Sequence, residues 1–92
     1  MDKLDNENKQ LLNFPCEFAI KVFGVASDEY EVEVITIIRK HSPELREDAI
    51  RSRLSKDGKY QALTITVHAV SKEQLDDIYN ELSTNSHVLM AL

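Results

Sequence analysis

A single cysteine, Cys16, stands in 92 residues, so no internal disulfide is available and no Cys-x-x-Cys pair offers a zinc ribbon. Such a chain suits a reducing cytoplasm. It also lacks an apolar run near the roughly 20 residues of a membrane span. Asp2, Lys3, Asp5, Glu7 and Lys9 interrupt any signal-peptide core. The expectation is a cytoplasmic protein with no membrane partner. Basic residues are in short supply, 11 against 16 acidic ones, for a formal charge of -5. Phosphate binding draws most of its affinity from clustered Lys and Arg, so this balance speaks against nucleic acid as a partner. The length allows one hydrophobic core but little room for a deep catalytic cleft, and no enzyme is expected. Glycine and proline occur only twice each, as Gly24, Gly58, Pro15 and Pro43, and all four fall where the hydrophobic pattern breaks.

The pattern is clearest from Arg51 to Leu82. Ile50, Ser52 and Leu54, then Leu63, Ile65, Val67 and Ala69, place a small or apolar residue at every second position, the period of a half-buried strand. Between them Asp57-Gly58 offers a pair tolerant of positive φ, so the two strands should close as a hairpin. Ser71 with Gln74 then forms a capping box before Leu75, Ile78, Tyr79 and Leu82, which share about 100° of helical arc. A helix packed on a sheet follows from that sequence of signals.

Upstream, residues 1–13 are polar apart from three leucines and read as a loosely ordered segment, leaving 14–92 as the single domain. Pro15 keeps Phe14 extended, and Phe18, Ile20 and Val22 alternate with polar or small neighbours in a strand that Gly24 ends. The local signals conflict between Asp28 and His41. β-branched Val32, Val34, Ile35, Ile37 and Ile38 favour a strand. Tyr30, Val34, Ile37, Ile38 and His41, however, fall on one helical face, and acids crowd the front while Arg39, Lys40 and His41 sit at the back. A helix is predicted, capped by Asp28 with Glu31 and stopped by Ser42-Pro43. A short strand from Val88 to Leu92 completes the order strand, helix, strand, strand, helix, strand. With right-handed crossovers this is an α+β, ferredoxin-like βαββαβ sandwich, a four-stranded antiparallel sheet with two helices on one face. The expected strand order is fourth, first, third, second.

Several segments in this order, Leu11-Leu12-Asn13-Phe14-Pro15, Ile20-Lys21-Val22-Phe23-Gly24, Arg39-Lys40-His41-Ser42-Pro43, Ser55-Lys56-Asp57-Gly58-Lys59-Tyr60 and Val88-Leu89-Met90-Ala91-Leu92, resemble the YbeD-like family of small bacterial proteins of unknown function. The resemblance implies an ACT-like form of the ferredoxin fold, as in regulatory domains that bind amino acids. Genes of that family often neighbour lipoate-biosynthesis genes, which implies a regulatory link and supplies no catalytic residue. An ACT-like sensor of a small metabolite is the alternative function, leaving room for a small-molecule ligand. The turn where such domains receive a ligand reads Gly24-Val25-Ala26-Ser27-Asp28 and lacks the Pro-Gly pair.

The sheet face away from the helices is the stronger candidate site. Alternation points Lys21, Phe23, Arg51, Arg53, Tyr60, Thr64, Thr66 and His68 outward. An aromatic among cations fits a protein partner or self-association, in a non-catalytic regulatory or interaction module. Basic residues concentrate accordingly, with seven against four acids from Arg39 to Lys59. Charged residues on an edge strand also blunt sheet aggregation, the plainer explanation of the same cluster. RNA stacking on such a sheet needs aromatics on the third strand, where Ala62, Thr64 and Thr66 stand instead. His68 and His87 are expected at the same sheet end, about 10 Å apart, with no third metal ligand. His41 is expected to cap helix carbonyls, and no cofactor is expected.

Overall fold

The computed structural model describes residues 13–92, so the segment read as loosely ordered lies outside the described residues except for Asn13. Strand β1 (Cys16–Val25) leads into helix α1 (Asp28–His41) and a single 3-10 turn (Glu47–Ala49). Strands β2 (Ile50–Leu54) and β3 (Tyr60–Ala69), helix α2 (Lys72–Thr84) and strand β4 (Val88–Ala91) follow. The sheet order is β2-β3-β1-β4 with every neighbour antiparallel, the ferredoxin-like arrangement expected from the hydrophobic pattern.

One stripe from each element makes the core. Ile20 and Val22 of β1, Tyr30, Val34 and Ile38 of α1, Leu63, Ile65 and Val67 of β3, and Leu75, Ile78 and Leu82 of α2 are all fully or almost fully buried. Burying each such aliphatic side chain is worth about 1.5–3 kcal/mol, which outweighs the modest strand propensity of the β-branched residues in α1. Packing therefore settled the conflict between Asp28 and His41 in favour of the helix.

The cap of α1 differs from expectation. Ser27, not Asp28, is the N-cap, with extended backbone and a hydroxyl oxygen that accepts from the Tyr30 N–H at 3.0 Å. Asp28, Glu29 and Glu31 then lie in the first turn, where the helix dipole favours them. At α2 the Ser71 hydroxyl accepts from the Gln74 N–H at 3.1 Å as expected. The Gln74 side chain, however, accepts from the Val70 N–H at 2.7 Å and donates to the His41 carbonyl at 2.9 Å. It thus joins the end of α1 to the start of α2, and His41 does not serve as the expected carbonyl cap. The His41 ring turns instead to Glu81, with Nε2 3.4 Å from Oε2 but too poorly aligned to hydrogen bond. Lys40, at 2.8 Å from Glu81, is the main reason that carboxyl is held below its ordinary range.

Two further expectations are corrected at the hairpin. Gly58 has positive φ, at 74°, and Asp57 does not, so the pair does not share the left-handed geometry. Gly58 closes a turn by donating to the Ser55 carbonyl at 2.9 Å. Asp57 instead accepts from the Ser55 hydroxyl at 2.7 Å and the Lys59 N–H at 3.1 Å, which together lower its pKa. On β2, Ile50 is only partly covered and Leu54 is 58% exposed, because the helices lie over β1 and β3 and leave this edge strand bare.

Candidate interaction face on the open side of the sheet

Antiparallel register and period-two alternation bring outward residues of all four strands into two cross-strand rows. In the first, Arg51 lies opposite Thr64, Thr64 opposite Lys21, and Lys21 exchanges backbone hydrogen bonds with Leu92 at 3.0 and 2.7 Å. In the second, Arg53 lies opposite Ala62, Ala62 opposite Phe23, and Phe23 opposite Met90. Small side chains on β3 thus stand between longer ones on β2 and β1. The result is a shallow depression of about 370 Å³ lined by Lys21, Phe23, Arg51, Arg53, Ala62 and Thr64.

None of its three cations has a carboxylate within ion-pair distance among the described residues. Apolar exposure rims the depression, with Met90 50% and Leu92 48% exposed on the β4 side. A slip in the pairing between Phe23 and Gly24 inserts Leu89 as an extra residue and leaves it uncovered as well. The face can therefore take anionic groups along β2 and apolar groups toward β4.

Of the eight outward residues singled out from sequence, five meet here: Lys21, Phe23, Arg51, Arg53 and Thr64. Tyr60 and His68 lie at opposite ends of β3, about 27 Å apart by strand rise. Tyr60 faces Val25 and carries the Lys59 ammonium 5.5 Å above its ring. His68 faces Glu17, with Nδ1 3.2 Å from Oε2. Met90 and Leu92 were not singled out. Their alternation signal is too short, since β4 spans only four residues.

The histidine pair is not at one sheet end. His68 is level with the start of β1 through Glu17, whereas His87 precedes Val88, which faces Gly24 near the end of that strand. The two are separated by about 27 Å along the sheet. His87 lies 3.9 Å from Glu33, and no cluster of three metal-ligating side chains occurs among the described residues. At the Gly24 turn the backbone is closely packed. A Cβ at Gly24 would stand 2.6 Å from the His87 carbonyl oxygen and closer still to the Tyr30 ring. The groove flanking α1, lined by Asp28, Glu31, Val32, Ile35, Thr36 and Arg39, has about 540 Å³ but is an open helix flank of mixed charge.

These features define an α+β ferredoxin-like sandwich whose uncovered sheet face is cationic and apolar. The chain belongs to the family described as "Protein of unknown function (DUF493)", whose model matches residues 9–92, in agreement with the resemblance drawn from its sequence. Similar proteins include a UPF0250 protein of Janthinobacterium sp., 40% identical with both chains covered fully. Another, from Chromobacterium violaceum, is 38% identical over 97% of this chain and 100% of its own. Among solved structures, the solution structure of protein HP0495 from H. pylori superposes with a TM-score of 0.70. It is 13% identical, with 100% of this chain and 97% of that one covered, and shares the fold. No helix among the described residues is long and apolar enough to cross a membrane.

Proposed function

We propose that this chain is a non-catalytic interaction module of the cytoplasm that receives a protein partner on its open sheet face. The observation that carries this reading is the depression in which Phe23 stands beside three cations without counter-charges among the described residues. A solvated sheet face gains nothing from exposing Met90 and Leu92 next to it, whereas an apolar centre with a charged margin is the composition of a docking surface. The resemblance to the YbeD-like family directs the role toward regulation connected with lipoate metabolism.

Size exclusion with light scattering, followed by affinity capture with the natural chain and Phe23→Glu side by side, tests the reading. A bound partner or second copy that the substitution removes supports it. A monomer whose captured proteins are the same with and without Phe23→Glu rejects this face.

A further inference from the structure

Resting on that reading of the open face, the depression also constrains the chemistry of its occupant. Arg51 and Arg53 form one wall and Lys21 with Phe23 the other, with Thr64 and Ala62 as the floor between them. The walls stand two strand spacings apart, about 10 Å, which is the width an extended chain with its side chains requires. Along each wall, successive outward residues repeat every 7 Å or so, the same repeat with which an extended peptide projects alternate side chains. We propose that the trough over β3 seats an extended acidic segment of a partner protein. Its alternate residues reach the two walls in turn, so three successive carboxylates meet Arg51, Lys21 and Arg53 and the next, apolar side chain meets Phe23.

Charge complementarity selects this occupant over the others. A second copy docked symmetrically would set the same three cations against one another. Nucleic acid would find no aromatic on the β3 floor to stack upon, where Ala62 and Thr64 stand. An acidic segment pairs all three cations, and each guanidinium can bind a carboxylate through two parallel hydrogen bonds.

The test is fluorescence anisotropy with three labelled probes on the full chain. One is the peptide Ala-Glu-Glu-Glu-Leu-Ala, the second has Gln in place of every Glu, and the third is a hexathymidylate. The acidic peptide should bind more tightly than either other probe by at least about tenfold, and more weakly as salt rises. Arg51→Gln combined with Arg53→Gln should remove that preference. Ala62→Tyr, which fills the floor without changing charge, should abolish binding, and both variants should retain the natural melting profile. Equal binding of the Glu and Gln peptides, tighter binding of the oligonucleotide, or no binding by any probe would overturn the inference. Capture reads the loss of a partner whatever that partner's charge, so the acidic-segment inference can fail on the peptide probes while the interaction face stands.

Discussion

The ring of Tyr30 lies directly on Gly24, and its hydroxyl continues into the sheet to donate, shared between two acceptors, to the carbonyls of Val22 at 2.9 Å and Gln61 at 3.1 Å. The first turn of α1 is thereby fastened to β1 and β3 at once. The neighbouring Gln61 side chain, also buried, is satisfied by donating to the Ser52 hydroxyl at 2.8 Å, so this polar cluster extends to the edge strand.

Gly24→Ala should destabilise the fold by about 1–3 kcal/mol, because the backbone carbonyl of His87 and the Tyr30 ring both block the added methyl. Tyr30→Phe keeps the ring and loses only the shared hydrogen bond, so it should cost less, about 1 kcal/mol. Urea unfolding of the two variants gives the comparison. An equal or reversed order would mean that close packing at Gly24 is not the tighter constraint.

Burial pushes the Tyr30 pKa from 10.0 up to about 12, with the nearby Glu31 adding to the shift. The neutral phenol is the form the fold accommodates. Its contribution is thus complete below pH 10, the value for an unfolded chain, and is lost as pH rises through about 12. Chemical unfolding between pH 9 and 12 should show stability falling through that window. In Tyr30→Phe this part of the decline should disappear.

Two adjacent residues separate capping from dipole effects at α1. Ser27→Ala removes the acceptor for the Tyr30 N–H and should cost about 1 kcal/mol. Asp28→Ala removes only a favourable charge near the helix start and should cost about 0.5 kcal/mol at low salt, and less at high salt. Unfolding curves at two ionic strengths check both magnitudes.

At the hairpin, Gly58→Ala should cost about 1 kcal/mol although nothing crowds the position, because φ of 74° is unfavourable to an L side chain. Gly58→Asn should cost less, since asparagine tolerates the left-handed region. Thermal melts of the two variants give the order.

Element order and sheet topology were legible because each buried stripe repeats at the period of its element, as in Leu63, Ile65 and Val67 or Leu75, Ile78 and Leu82. The candidate face was partly legible for the same reason, since alternation alone turns Lys21, Phe23, Arg51 and Arg53 outward. What alternation does not encode is strand registry. Glu17 facing His68, and Gly24 facing Val88, decide that His68 and His87 stand far apart. The reach of the helices is likewise a tertiary fact, and it leaves Leu54 bare despite its place in an apparently buried series. At α1, Ser27 and Asp28 are both good caps by composition, and only the backbone geometry distinguishes them.

Whether a partner docks on the open face or on the helical layer is decided by a photo-crosslinking side chain placed in the cell at Met90, on the rim of the depression opposite Phe23, or at Val32, 62% exposed on α1. A discrete adduct is expected from position 90, lost in Phe23→Glu, and none from position 32. Adducts from position 32, or none from position 90, would place the partner elsewhere.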